Sequence, residues 1–323
     1  MKRLEGAEWL DALRAGRAAL PGRYYAMYSS YLDGIVTEPA LMMVPADDHL
    51  VHRGDGVFEA FKCVDGAIYN FDAHLRRLER SAASIQLDLP VPPQRLREIV
   101  AATIRAGGRR DCALRVFVSR GPGSFGVSPY DCPASQLYVV VIAAGTPFMD
   151  LHPGGARVAV STVAPKLPFF AAIKNCNYLP NVLMKKEAQD RGVDFVVGIN
   201  AAGRLGEGAT ENIGIVAADG ALVFPPLDGI LQGTTMMRVM DLARKLVAEG
   251  LLREIRFGDI RPEDVARARE AVIVGTTINV VAVTTFEAAR VGDGKPGPVH
   301  AALDRLLQED MTSNAAVLTP VFE

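Results

Sequence analysis

The hydrophobic rhythm of the chain switches repeatedly between helical and strand periods. Residues 7–20 set Trp9, Leu10, Leu13 and Leu20 at helical spacing, which predicts a short amphipathic helix stopped by Pro21-Gly22. β-like stretches follow over 24–32, 40–44 and 56–63. Asp65-Gly66, between FKCV and AIYNF, predicts two strands joined by a tight hairpin. Asp72 is placed to cap a helix through HLRRLERSAASI, and a second helix is expected over 92–106. Residues 114–119 and 136–144 read as a strand pair joined by RGPGSFGVSPYDCPAS, a connection too long and too rich in Gly and Pro for a simple turn. Loops of that kind often line sites.

TPFMDLHPGG, residues 146–155, reads as a linker, after which RVAVSTV begins a second series. Helices are expected over 181–189, 235–249 and 299–308, the second because Met236, Val239, Leu242, Ala243 and Leu246 recur near its period. Strands are expected over 195–199, 213–217, 222–224 and 271–275. The order predicts an N-terminal α/β domain over 1–145, with 1–24 as an extension, and a C-terminal α/β domain over 156–311 with a tail at 312–323. No internal repeat or low-complexity tract is visible. The length, 323 residues, suits two domains at ~100–200 residues each.

Composition narrows the class without naming a chemistry. With 49% apolar and 22% charged residues, disordered and collagen-like chains are excluded. A formal charge of −2 without basic runs gives no reason to invoke nucleic acid. The N-terminal residues lack the apolar core of a signal peptide, and the longest strongly apolar run, 137–144, is far short of the ~20 residues that span a membrane. Cys63, Cys112, Cys132 and Cys176 are scattered and read as free thiols of a reducing compartment, so a cytoplasmic enzyme is expected. Only eight lysines stand against 27 arginines, which leaves few candidates for a required amine.

Several familiar motifs fail on context. GPGSFG at 121–126 matches Gly-x-Gly-x-x-Gly, but VSPYDCP follows it and cannot open the helix a dinucleotide fingerprint needs. A P-loop and a Gly-x-Ser-x-Gly elbow are absent, and His49, His52, His74, His152 and His300 have no metal-ligand spacing, so no metal is expected. The informative stretch is FFAAIKNCNYLPNVLMKKEA, followed by GRLGEGATENIGIV. Lys174 stands among Phe169, Phe170, Ile173, Tyr178 and Leu179, an apolar setting in which desolvation lowers an amine's pKa. On its own it also fits a snorkelling surface lysine, and Glu207 a solvated turn residue.

Six blocks in order carry a resemblance: HRGDGVFEAFK (52–62), HLRRL (74–78), IKNCNYLPNVL (173–183), EGATENIGIV (207–216), GILQGTT (229–235) and GTTIN (275–279). They resemble fold-type IV pyridoxal-phosphate enzymes, the class IV aminotransferases, a group that includes branched-chain and D-amino acid aminotransferases and aminodeoxychorismate lyases. The resemblance covers the chain from about Tyr28 to Met311. It implies a two-domain α/β fold with pyridoxal 5′-phosphate between the domains and a homodimer whose partner loops complete each pocket. It implies that Lys174 carries the cofactor covalently and later shuttles the substrate's α-proton. Glu207 is similar to the carboxylate that keeps the pyridine nitrogen protonated. Arg77 is similar to the phosphate-binding arginine, with Gly233, Thr234 and Thr235 at a helix N-terminus and Thr276 as further phosphate contacts. Tyr178 resembles a tyrosine that bonds the cofactor's 3-oxygen, although branched-chain enzymes have one more residue between lysine and tyrosine.

Thr277 and Arg115 resemble positions that face the substrate. The Arg-x-His pair of bacterial D-amino acid enzymes is replaced near 121–128 by Ser124, Phe125 and Gly126. MYSS (27–30), DDHLVHRGDGVF (47–58) and KNCNYLPNVL look closest to plant-type D-amino acid aminotransferases. The expected activity is ping-pong transamination between a D-amino acid or branched-chain L-amino acid and a 2-oxo acid. The alternatives are a lyase releasing pyruvate and 4-aminobenzoate from aminodeoxychorismate, and a binding module that has lost the chemistry.

Overall fold

A computed structural model describes residues 1–17 and 22–322, and its contacts group the chain into two units, Met1–Gly145 with Val317–Glu323, and Thr146–Ala316. The first unit is built on one antiparallel sheet. Its strand order is Leu318–Pro320, Ala67–Tyr69, Gly56–Val64, Cys112–Ser119, Gln136–Ile142, Tyr24–Ser29 and Gly34–Val36. The strand Gly56–Val64 alternates as a half-buried strand should, with Val57, Phe61 and Cys63 inward, and it carries Glu59 at one of those inward positions. The expected hairpin is present: Asp65 and Gly66 both take positive φ (46° and 80°), and Cys63 lies opposite Ile68.

The first unit differs from expectation at several ends. The helix Phe71–Ser84 is preceded by Asn70 in the left-handed region and is not capped by Asp72, which instead pairs with Arg97 at 2.7 Å. Phe71 is buried, and anchoring it in the core moves the helix start one residue upstream of Asp72. Residues 40–44 are not a strand. Pro39–Leu41 forms a 3₁₀ turn, because Pro39 has no N–H to give a ladder. The N-terminal helix runs Gly6–Arg17, and residues 18–20 of the expected helix lie outside the described residues. The 312–323 segment is not a loose tail. The helix Pro298–Ser313 continues into it, and Leu318–Pro320 then pairs with Ala67–Tyr69, covering a sheet edge that would otherwise present unpaired N–H and C=O groups.

The second unit closes strands into a ring. Asn212–Val216, Glu270–Gly275, Asn279–Phe286, Ala156–Val160, Phe195–Ile199 and Leu205–Gly208 pair in sequence, and the last returns to the first where Glu207 faces Asn212. Ala156–Val160 pairs in parallel with both of its neighbours, giving a mixed α/β fold. Val158, Val197, Ile213, Ile273 and Val281 pack in one apolar cluster. Phe148 joins that cluster with its ring 5.1 Å from Phe195, so 146–155 carries a helical turn, Phe148–Leu151, that belongs to this unit. The helix Thr234–Ala248 lies against Glu254–Phe257, Glu270–Gly275 and Pro298–Ser313. Among the described residues no helix is long and apolar enough to cross a membrane.

Candidate active site

Lys174 sits in the bend between a helical turn, Pro168–Ala171, and the helix Leu179–Asp190. The bend is tied by Asn175, whose Nδ2 donates to the carbonyls of Phe170 and Ile173 while its Oδ1 accepts from the Asn177 N–H. Pro180 suits the first helical turn, where a missing N–H costs nothing. Lys174 is consequently buried, 8% exposed, and its Nζ donates to the Tyr178 hydroxyl at 3.2 Å. The apolar surround read from the sequence is only partly there. Ile173 is buried, whereas Phe169, Phe170 and Leu179 face outward.

Glu207 lies at the closing pair of the ring, and its Oε2 accepts the Leu231 N–H at 2.9 Å. The Leu231 carbonyl accepts from Asn212 Nδ2 at 3.1 Å, so Leu231 is held from both sides. Burial pushes the Glu207 carboxyl above its ordinary range, against the pull of Lys166, the Leu231 N–H and Lys174. Two residues on, Gly233 precedes the helix Thr234–Ala248. A Cβ at Gly233 would meet Asn212 Oδ1, so only glycine fits there. The first-turn N–H groups of a helix have no intrahelical acceptor, and Thr234 and Thr235 are buried where these groups begin. The Thr235 and Thr276 hydroxyls lie 3.4 Å apart, next to that helix end. Thr276 and Thr277 form the turn after Glu270–Gly275, with Thr276 half-buried and Thr277 exposed.

Lys174, Tyr178, Glu207, Gly233, Thr234, Thr235, Thr276 and Thr277 thus all belong to the second unit; Arg77 and Arg115 belong to the first. Arg77 projects from Phe71–Ser84 onto Glu59, giving Nε and Nη2 to the two carboxylate oxygens at 2.7 and 2.8 Å. His74 Nδ1 reaches the same carboxylate at 2.7 Å. Burial raises the Glu59 carboxyl, but Arg77 and His74 outweigh it and hold it far below its ordinary range. Arg115 is half-buried on Cys112–Ser119, with Nη1 on the Leu114 carbonyl at 3.1 Å. The 121–128 loop is fastened by the segment before it in sequence. His49 Nε2 meets the Ser124 carbonyl at 3.1 Å, and Arg53 donates to the carbonyls of Phe125 and Gly126.

Sequence reading missed Asn175, Asn212 and Lys166. The asparagines act through backbone groups and leave no spacing signal, whereas Lys166 was one of only eight lysines and close to Lys174. Among the described residues no group of three His, Cys, Asp or Glu gathers to hold a metal ion.

A buried amine can condense with a carbonyl compound, and a helix end opened by glycine and threonines suits a phosphate. These features define an enzyme that handles amino groups through a phosphorylated carbonyl cofactor. The chain belongs to the class IV aminotransferases: the profile described as amino-transferase class IV matches residues 56–286. It is 38% identical over 320 residues to the D-amino-acid transaminase, chloroplastic, of Arabidopsis thaliana, covering 98% of this chain and 84% of that protein. It is 30% identical over 286 residues to the putative branched-chain-amino-acid aminotransferase of Methanocaldococcus jannaschii, covering 87% of this chain and 96% of that protein. A solved branched-chain aminotransferase from the thermophilic archaeon Thermoproteus uzoniensis, with norvaline, superposes with a TM-score of 0.82 at 25% identity over 93% of this chain and 100% of that one. Class IV aminotransferases use pyridoxal 5′-phosphate.

Proposed function

We propose that this aminotransferase moves an amino group from a D-amino acid to a 2-oxo acid by a ping-pong cycle, with pyridoxal 5′-phosphate attached at Lys174. One observation carries the reading: a buried lysine amine rests on the Tyr178 hydroxyl within the field of the Glu207 carboxylate. The residues fit the cofactor. A glycine at 233 leaves room for the Asn212 side chain that holds Leu231 at the helix start, and Thr234, Thr235 and Thr276 offer neutral donors for a phosphate. Arg77 adds a cation. When bound, the cofactor draws electrons from the substrate's α-carbon and makes its proton acidic.

The protein's own groups do the rest. Lys174 holds the cofactor, gives way to the incoming amine, and with its freed Nζ takes the α-proton from one carbon and returns it at another. Tyr178 fixes where that Nζ points. Glu207 supplies the negative charge that keeps the ring nitrogen protonated. The Thr277 backbone takes the substrate carboxylate. The long identity with the plant D-amino-acid transaminase supports a D-donor. A branched-chain L-donor is the second reading, favoured by the archaeal relative. The lyase alternative is not favoured by these relatives.

The working form is a homodimer in the cytoplasm. Leu167, Phe169, Phe170, Leu179, Val182 and Leu183 expose apolar surface around Lys174, which a second copy would cover. The four cysteines are free thiols, as a reducing compartment keeps them. A donor panel tests the activity: D- and L-amino acids with 2-oxoglutarate, and aminodeoxychorismate alone. Turnover of D-donors is expected. Turnover of branched-chain L-donors alone would select the second reading, and release of pyruvate with 4-aminobenzoate without amino transfer would overturn both.

A further inference from the structure

A second lysine stands at the candidate site. Lys166 Nζ lies 5.5 Å from the centre of the Tyr178 ring, and Lys174 Nζ lies 5.6 Å from the same centre. Lys166 is half-buried, and it lines a cavity of about 430 Å³ within the second unit together with Glu207. Arg204, Asp228 and Asp259 line the same cavity, but Arg204 is occupied by Asp259 at 2.9 Å. Lys174 also acts on Glu207 as a cation, and Glu211 repels it.

We propose that Lys166 is a positioning residue for the cofactor site, the counter-charge that holds the Glu207 carboxylate ionised while Lys174 is committed to the cofactor. A carboxylate in a partly dry pocket tends to take up a proton and lose its charge. Condensed with a carbonyl group, the Lys174 nitrogen is a weaker base than the free amine, so its help to Glu207 falls when the cofactor is attached. Lys166 stays. Of the charges acting on Glu207 its pull is the largest, and Glu207 in turn opposes the loss of a proton that burial favours at Lys166. The ring of Tyr178 gives the ammonium a face to rest on without neutralising it.

The inference rests on the function proposed for Glu207, and the experiment separates the two. Cofactor affinity is measured against pH, by fluorescence quenching on adding pyridoxal phosphate, for wild type, Lys166→Met, Lys166→Arg, Glu207→Gln and the Lys166→Met/Glu207→Gln double variant. The acid-limb midpoint of cofactor binding should rise by roughly half to one pH unit in Lys166→Met, a three- to tenfold loss just below the wild-type midpoint. Lys166→Arg should restore it. In the double variant the midpoint should stay where Glu207→Gln alone puts it. An unmoved midpoint in Lys166→Met, with Glu207→Gln altering the limb, overturns the inference and leaves the functional reading standing. An affinity profile that Glu207→Gln does not alter overturns both.

Discussion

The roles proposed for Glu207 and Arg77 make separate predictions at the scale of the residue, and each side chain was visible as a residue type before its surroundings were. For Glu207, substitution by Gln keeps size and the Leu231 hydrogen bond but removes the charge. Cofactor should stay attached, while single-turnover amino transfer slows at least roughly a hundredfold, or about 2.7 kcal/mol of barrier. Its α-deuterium isotope effect should grow. Rates within a few-fold of wild type would leave the charge without a catalytic role. For Arg77, the sequence suggested a phosphate contact and nothing more. The structure adds a buried bidentate pair with Glu59, so Arg77→Ala leaves a carboxylate that is 0% exposed with His74 but without its guanidinium partner. Chemical denaturation should register a loss of about 3–5 kcal/mol. In the folded fraction, cofactor should bind more weakly by about 1.5–3 kcal/mol. Glu59 could not be anticipated, since FEAF reads as an alternating strand and an inward carboxylate breaks that rule.

Among elements, the helix Phe71–Ser84 and the strand Gly56–Val64 are coupled through that carboxylate, and the coupling has a pH signature. The folded Glu59 carboxyl lies below its unfolded value. Its stabilisation is therefore complete above about pH 4.3 and is lost as pH falls toward the folded value. Denaturation midpoints should fall on that acid side in wild type. In Glu59→Gln they should be lower at pH 7 and flatter below about pH 4; equal slopes in the two proteins would refute the coupling. The start of Thr234–Ala248 offers a second element-scale test. Gly233→Ala drives a Cβ into Asn212, which holds Leu231, so cofactor affinity should drop by about 1–3 kcal/mol. Long periodic helices and the Asp65-Gly66 hairpin were readable because their periods and turn residues are local. Leu205–Gly208, which carries Glu207, was not: four residues with two glycines have no period to read. Asn279–Phe286 was missed for the opposite reason, as a nearly continuous apolar run bears no alternation.

At the scale of the molecule, the borders of the two contact units follow packing more than composition. Phe148 draws the proposed linker into the second unit, and the last residues return to the first sheet. The exposed apolar residues from Leu167 to Leu183 belong to this scale too. Sedimentation should give a particle of twice the chain mass, and Phe169→Asp/Phe170→Asp should shift it toward the monomer; an unaltered wild-type monomer would remove the dimer. The central claim is that one particular amine holds the cofactor, and with eight lysines in the chain it can be read directly. Protein loaded with pyridoxal phosphate is reduced with borohydride, digested and mapped by mass spectrometry. The phosphopyridoxyl group should be found on Lys174 alone, and Lys174→Ala should carry none and turn over no donor. A group mapped to Lys166 or to a surface lysine, or near-wild-type turnover by Lys174→Ala, would contradict the account.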